Sequence, residues 1–412
     1  MLPQVPRVNG DRGAKAQVVD NDPEALRAGM RANLRAVLPH IAANARRAEE
    51  SRKVPVENVA LLKKIGFTRA FLRKRYGGLE MTAAEYGPCL VEVAQACGAT
   101  AWAVGLLAQH SHGVGLMSRR LQDEVWGGDG DALVCSSVAP SGACAEVEGG
   151  VRLSGRFRWS SGCDHADWAF LGFLRGGEGG GARRVHLAVL PRRDYAIVDD
   201  WHTAGMRGTG TKTILVEDAF VPEHRVESQQ AMASGGSRGP GADRRGIYSG
   251  AFMTYFALGF SAVSLGIAMR MVQVYKERTA GRLRAYTGAK VTDSASPLAR
   301  LAESVHQVNA AAASLAQDWQ RIAERSASDE PPSRAEVVSW RCNQAYVTKM
   351  CIEAVDRLFA GSGSSAWYDD SEAQLLWRNS KMAGAHAFTD YDTAGQIYGR
   401  HLMGLEADEA LV

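Results

Sequence analysis

Apolar and polar residues alternate with helical periodicity in two separate parts of the chain, residues 22–130 and the residues after 246. The most regular case is residues 301–323, where apolar side chains recur at alternating spacings of four and three. That spacing is typical of the seam between packed helices. The pattern therefore predicts helices at both ends of the chain, with a helical bundle at the C-terminal end.

Helix boundaries in these regions can be read from capping residues. Asp-Pro-Glu at residues 22–24 has the composition of a helix start, and Thr82–Glu85 has capping-box spacing. Residues 331–336, Pro-Pro-Ser-Arg-Ala-Glu, end one helix and begin another, which is predicted to run to Gly361.

Between the helical parts, residues 132–225 change to short runs of β-branched and aromatic residues separated by turns. These runs follow one another too closely for crossover helices, so we expect an antiparallel sheet in a small barrel or sandwich. Gly176–Gly181 is predicted to form a hairpin tip, and residues 232–246, rich in Gly, Ser and Arg, a loop.

The chain is therefore predicted to have an α+β fold in three parts. These are an N-terminal helical domain (1–130), a β domain (131–230) and a C-terminal four-helix bundle (231–412). A chain of 412 residues is long enough to need more than one such unit.

Composition narrows the functional classes. The net charge of +3 and the lack of a long basic block give no reason to expect nucleic acid as a partner. Seven scattered cysteines form no Cys-x-x-Cys pair, and the first residues are polar, so we expect a reduced, cytoplasmic protein without a secretory signal. Residues 246–269 carry no charge but contain many Gly and Ser residues, which favours a buried bundle helix over a membrane span.

Two local patterns are set aside. Residues 361–366, Gly-Ser-Gly-Ser-Ser-Ala, match a dinucleotide fingerprint, but they follow a predicted helix where that motif requires a strand. His110 and His112 face away from each other at a spacing of two on a helix, and no cluster of acids or cysteines is near, so no metal site is predicted.

Three segments resemble the acyl-CoA dehydrogenase superfamily. They are GMRGTGTKTILVEDAFVPEHRV (205–226), LSGRFRWSSGCDHADWAF (153–170) and CSSVAPSG (135–142). The resemblance extends from about residue 22 to the C-terminus and implies that superfamily's fold, with a flavin ring between the β domain and the C-terminal bundle. In that fold Ser161 is expected to hydrogen-bond flavin N5. The residues that the resemblance implies for flavin binding are Ser136, Ser137, Trp159, Ser160, Ser161 and Arg282.

One departure from the superfamily pattern changes the expected reaction. Acyl-CoA dehydrogenases carry a catalytic Glu after their last long helices, whereas residues 377–392 contain no Glu and place His386 near that position. Removal of a proton next to a thioester needs such a carboxylate, so desaturation is not expected. The sequence most resembles the flavin-dependent monooxygenase branch, which it matches at Trp102, His110, Ser136, Ser161 and His386.

This resemblance implies the oxygenase component of a two-component system. A separate NAD(P)H:flavin reductase would supply reduced FMN or FAD, which reacts with O₂ to a C4a-hydroperoxide that hydroxylates a small aromatic substrate. His110, Ser161 and His386 are the implied catalytic residues, and Trp102, His110 and Ser136 the implied substrate-binding residues. His110 would accept the phenolic proton. A homotetramer assembled through the C-terminal bundle is also expected.

Other functions remain open from the sequence. Relatives of this fold oxidise nitrogen or sulfur, which requires no phenolate and would leave His110 without a role. A non-catalytic flavin-binding protein and an acyl-CoA dehydrogenase-like flavoprotein are the remaining alternatives.

Overall fold

The computed structural model describes residues 23–176, 183–233 and 243–405. The N-terminal part consists of six helices. They are α1 (Pro23–Ala43), α2 (Ala45–Ser51), α3 (Val56–Lys64), α4 (Ala83–Ala96), α5 (Gly98–Gly115) and α6 (Arg119–Trp126). The first helix begins at Pro23 as predicted, and the capping box of α4 is present, with the Thr82 hydroxyl accepting from Glu85 N–H and the Glu85 carboxylate accepting from Thr82 N–H.

The middle of the chain forms one seven-stranded sheet with the strand order β5-β6-β2-β1-β3-β4-β7. The strands are β1 (Val134–Val147), β2 (Gly150–Ser160), β3 (Trp168–Arg175), β4 (Arg184–Pro191), β5 (Ala196–Val198), β6 (Lys212–Pro222) and β7 (Val226–Ser228). The α+β architecture is therefore confirmed.

One strand pairing differs from the antiparallel arrangement expected from the sequence. β1 and β3 run parallel, while all other neighbouring strands are antiparallel, so the sheet is mixed. The chain runs forward along β1, back along β2 and forward along β3, which then pairs with the far side of β1 instead of with β2. An intervening strand thus provides the crossover that a helix usually makes between parallel strands.

The C-terminal part is helical. After the short α7 (Gln229–Ala233) come α8 (Phe252–Ala280), α9 (Ala295–Ala327), α10 (Arg334–Ala360), α11 (Glu372–Ala383) and α12 (Tyr391–Leu402). The predicted seam lies within α9, where Val308, Leu315, Trp319 and Ile322 are buried. α10 begins with the predicted capping box at Ser333 and is followed directly by Gly361. The Gly361–Ala366 segment therefore follows a helix, as expected.

The uncharged stretch of the sequence becomes α8. By length and composition it is the one helix, within the described ranges, that could cross a membrane, yet 94% of its most apolar part is buried in the protein. It packs against α4 and α5 on one side and α9, α10 and α11 on the other. A helix that is covered on all sides is expected to be apolar on all sides, which accounts for its composition.

Three predictions concern segments outside the described residues, at least in part. These are the polar N-terminus (1–22), the tip of the hairpin between β3 and β4 (177–182) and most of the Gly/Ser/Arg-rich loop (234–242). The domain boundaries at 130/131 and 230/231 remain predictions.

Candidate functional site

A large cavity of about 1410 Å³ lies where α5, the sheet and the C-terminal helices meet. Seven of the residues predicted for the site line it. They are Trp102, His110, Ser136, Ser137, Trp159, Ser161 and His386. The three residues predicted to be catalytic, which come from α5, the end of β2 and the turn between α11 and α12, therefore converge on one space.

His110 and Ser136 form a hydrogen-bonded pair on one wall of this cavity. His110 Nδ1 is 2.7 Å from the carbonyl oxygen of Val134, which can only accept, so Nδ1 carries the proton. Nε2 of the neutral ring is then an acceptor, and the Ser136 hydroxyl donates to it over 2.8 Å. The lone pairs of the Ser136 oxygen remain available to a donor in the cavity.

Burial controls the charge of His110. Every residue of α5 is buried, and loss of solvation lowers the pKa of His110 from its ordinary value of 6.5 to about 4, although the bond to Val134 acts in the opposite direction. The imidazole is therefore neutral near pH 7 and can accept a hydrogen bond.

Ser161 belongs to a chain of side-chain hydrogen bonds on a neighbouring wall. Its hydroxyl accepts from Trp102 Nε1 at 3.1 Å and bonds to the Thr211 hydroxyl at 2.8 Å, and Thr211 bonds to Thr209 at 2.6 Å. The antiparallel pairing of Ser160 with Lys212 brings Ser161 opposite Thr211. Thr209 donates its only hydroxyl proton to the Met206 carbonyl oxygen at 2.8 Å, so Thr211 donates to Thr209 and Ser161 donates to Thr211. Ser161 therefore offers a cavity ligand a lone pair and no proton.

Trp159 reaches the cavity from an unusual backbone conformation. The register of β2 against β6 shifts between Phe157 and Ser160, and Trp159 within that irregularity has a φ of 65°. A positive φ is rare for a bulky residue. The irregularity leaves the indole 64% exposed at the rim of the cavity.

His386 lies on a different wall of the cavity, which is made of aromatic rings instead of hydrogen-bonded polar side chains. It stacks on Phe260 at 4.0 Å between ring centres and meets the edge of Trp102 at 5.8 Å. Its Nδ1 accepts from the backbone N–H of Phe388 at 3.2 Å, so the proton of the neutral ring is on Nε2. Burial lowers the pKa of His386 from 6.5 to about 4, so this ring is also neutral near pH 7.

Two of the predicted flavin-binding residues do not line the cavity. Ser160 is fully buried behind the wall, and its hydroxyl has no hydrogen-bond partner. Arg282 lies beyond the end of α8 and donates to the carbonyl oxygen of Gly361 at 2.8 Å. Their assignment to flavin binding stays a prediction.

Several residues that line the cavity were not singled out from the sequence. Thr209 and Thr211 line the cavity. Both belong to the 205–226 segment that resembles the family, so the sequence did contain a signal for them. Phe256 on α8 stacks on His110 at 5.7 Å, and Arg341 of α10 lies over Phe388. Nothing in the sequence distinguishes these two from other residues on long helices. Among the described residues, no group of His, Cys, Asp or Glu side chains could hold a metal ion.

Comparison with protein-family models gives two matches. Residues 20–119 match the acyl-CoA dehydrogenase N-terminal domain, and residues 258–391 match the acyl-CoA dehydrogenase C-terminal domain.

Individual relatives match over nearly the whole chain. The p-hydroxyphenylacetate 3-hydroxylase oxygenase component of Acinetobacter baumannii is 46% identical over 95% of this chain and 92% of the relative. The oxygenase subunit HsaA of a flavin-dependent monooxygenase from Rhodococcus jostii is 32% identical over 92% of this chain and 99% of its own. Among solved structures, the 3-HSA hydroxylase from Rhodococcus sp. RHA1 superposes with a TM-score of 0.88 at 31% identity, over 93% of this chain and 98% of that one.

Proposed function

The chain belongs to the acyl-CoA dehydrogenase family, in its branch of flavin-dependent monooxygenase oxygenase components, and from this we propose that it hydroxylates a phenolic substrate with reduced flavin and O₂. The single observation that carries the proposal is the convergence of His110, Ser161 and His386 on one cavity. The catalytic roles that the family resemblance implies for these three residues are part of the proposal.

The cavity fits a flavin and an aromatic substrate together. Its volume of about 1410 Å³ exceeds the ~300–1,000 Å³ typical of pockets for one small ligand, and rings of Trp102, Phe256 and Phe388 line it. Reduced FMN or FAD, when bound, supplies two electrons to O₂, so that one oxygen atom enters the substrate ring and the other leaves as water. Ser161 can accept a hydrogen bond from the N–H at flavin N5, and Trp159, Ser136 and Ser137 would hold the ring system.

The Ser136–His110 pair is suited to take the proton of a phenol. A phenolic O–H bound there donates to Ser136 Oγ, and Ser136 in turn donates to His110 Nε2. As oxygen adds to the ring, the phenolic proton becomes more acidic and can move along this path. Because His110 is neutral near pH 7, it is ready to accept.

His386 has the complementary property. Its protonated Nε2 has no partner among the described residues, so it can donate a hydrogen bond to oxygen bound in the cavity. The aromatic rings packed around His386 exclude water from the same region, which protects a reactive oxygen species from side reactions.

The proposal includes the wider setting of the enzyme. As an oxygenase component it depends on a separate NAD(P)H:flavin reductase, and its substrate is a small aromatic molecule. We also propose a cytoplasmic homotetramer. All seven cysteines are free thiols, which is consistent with a reducing compartment.

The test mixes anaerobically reduced FMN or FAD and the protein with ¹⁸O₂ and a phenol, and measures hydroxylated product by mass spectrometry and H₂O₂ by a peroxidase assay. We expect one ¹⁸O atom per product molecule. In Ser161→Ala the share of electrons lost as H₂O₂ should rise about fivefold, since a hydrogen bond is worth about 1 kcal/mol. Ser264→Ala, which removes a buried hydroxyl of α8 away from the cavity, is the matched control.

Different results separate the alternatives. Bound reduced flavin without labelled product from any phenol would contradict the hydroxylase proposal and favour a nitrogen or sulfur substrate. Failure to bind reduced flavin would contradict the whole assignment.

A further inference from the structure

Arg341 is a cation in the cavity wall for which the proposed reaction has no use. It is on α10, about two helical turns after the start of that helix, and lines the cavity together with Phe388. Its guanidinium carbon lies 5.2 Å from the centre of the Phe388 ring.

No carboxylate in the described parts of the chain forms an ion pair with Arg341. Asp390 is close enough to favour its charge, but the Asp390 carboxylate caps α12, accepting from Asp392 N–H at 3.1 Å and from the Thr393 hydroxyl at 2.5 Å. Other cationic side chains of this bundle are paired, as Arg357 is with Glu303 and Lys381 is with Asp356.

The missing partner has an energetic consequence. Arg341 Nε is buried and makes no hydrogen bond, and burial lowers the pKa of the guanidinium. Arginine stays protonated in proteins despite such a shift, so the charge is retained without a counterion. A partly buried cation is costly unless it is paired, and Arg341 lines the cavity, where an anionic ligand would supply the partner.

Arg341 is separated from the Ser136–His110 pair by aromatic side chains. Phe256 stacks on His110 at 5.7 Å, Phe388 meets the edge of Phe256 at 5.7 Å, and Arg341 lies over Phe388. Two aromatic rings therefore separate the phenol-binding wall from the cation. A substrate whose hydroxyl is bound at Ser136 would extend along these rings towards Arg341.

Resting on the proposed function, we propose that Arg341 forms an anion subsite that binds a carboxylate on the substrate, across Phe256 and Phe388 from the Ser136–His110 pair. The planar guanidinium can make two parallel hydrogen bonds to such a group. A flavin phosphate has the same oxyanion chemistry and is the rival occupant.

The experiment compares phenols that differ only in charge. The probes are 4-hydroxybenzoate, 4-hydroxyphenylacetate and 3-(4-hydroxyphenyl)propanoate, each beside its primary amide, and the quantity is the acid-to-amide ratio of kcat/KM. In the wild type we expect the acid of best-fitting length to be favoured by about tenfold to a hundredfold, the range for hydrogen bonds to charged groups. Arg341→Met should abolish this preference through KM, and Arg341→Lys should restore part of it.

Lys349→Met is the matched control. Lys349 is on the same helix, is exposed and does not line the cavity, so this variant removes one positive charge from α10 without changing the subsite. Its acid-to-amide ratio should equal that of the wild type. A second experiment is a binding titration. It compares the affinities of wild type and Arg341→Met for reduced FMN and reduced riboflavin, which differ in the phosphate.

Each outcome is decisive. If Arg341→Met removes the advantage of FMN over riboflavin and leaves the acid-to-amide ratio unchanged, the anion is the flavin phosphate and the substrate subsite is wrong. If neither ratio changes, Arg341 only packs on Phe388. If the wild type converts amides and acids equally, the subsite alone is overturned; if it converts neither, the proposed function fails as well.

Discussion

Two walls of the same cavity hold a neutral histidine in opposite tautomers. On the wall made by α5 and β1, the Val134 carbonyl accepts from His110 Nδ1, which leaves Nε2 as an acceptor. On the wall made by the turn at residues 384–390, the Phe388 N–H donates to His386 Nδ1, which leaves Nε2 as a donor. One backbone group on each wall decides which chemistry the imidazole offers to a ligand.

The two walls also differ in how firmly they hold the ring. His110 is in the middle of a fully buried helix and is hydrogen-bonded at both nitrogens. His386 is in a short turn that is closed by Thr389, whose N–H donates to the His386 carbonyl at 2.8 Å. Its ring is held by stacking and by one hydrogen bond, from the Phe388 N–H. The wall that holds His110 is therefore suited to proton transfer at a defined atom. The wall that holds His386 is suited to shaping the cavity and excluding water from it.

The largest expected effect comes from removing the acceptor. His110→Ala should lower the rate of phenol hydroxylation by about 10²–10⁴-fold, the usual contribution of positioned acid–base catalysis. Single-turnover formation of labelled product measures this rate.

The companion variant His386→Ala tests whether the walls really differ. It should mainly raise H₂O₂ release and leave the pH dependence of phenol hydroxylation as in the wild type. A loss of less than tenfold in His110→Ala, or the same profile in both variants, would remove the distinction drawn between the two histidines.

Acidification should destabilise both walls. The pKa of His110 is lowered to about 4 in the fold, while it is near 6.5 in an unfolded chain, so between these values the unfolded chain binds more protons. The contribution of His110 to stability is therefore constant above about pH 6.5 and falls as the pH drops towards 4. At pH 5 a fully buried histidine of this kind costs about 2 kcal/mol relative to pH 7.5. Urea denaturation at the two pH values measures the difference.

Single substitutions show which histidines cause this loss of stability at low pH. His110→Gln should remove about 2 kcal/mol of the pH-dependent loss, and His112→Gln, outside the cavity, a similar amount, because burial lowers the pKa of His112 to about 3. His386→Gln should also remove a similar amount, because burial lowers the pKa of His386 to about 4. His40→Gln, at an exposed position on α1, should change nothing. An unchanged pH dependence in His110→Gln would show that this imidazole is not held neutral by burial.

The smallest expected effect concerns the strained rim of the cavity. Trp159→Gly should raise the free energy of unfolding by about 1 kcal/mol, because glycine relieves the cost of a positive φ and the exposed indole contributes little burial. The same variant should bind reduced flavin more weakly. Trp159→Phe keeps both the strain and an aromatic ring, so equal stabilities of the two variants would argue against stored strain.

Much of the fold could be predicted because it depends on local sequence. The capping boxes at Thr82 and Ser333 and the seam in α9 are patterns over a few residues, and each is present in the structure. The spacing of Trp102 and His110, two turns apart on one helix, was enough to predict that both face the same cavity. The parallel pairing of β1 with β3 was missed because pairing depends on contacts between distant segments.

The sequence by itself determined the order of helices and strands, the three motifs of the family and the residue types at the site, because those are properties of short segments. Only the tertiary structure decided the tautomers of His110 and His386 and the position of Arg341. A tautomer depends on which backbone group lies opposite a nitrogen, and an unpaired cation is recognisable only once every nearby carboxylate is seen to be engaged elsewhere. Both are facts about neighbours in space that lie far apart along the chain.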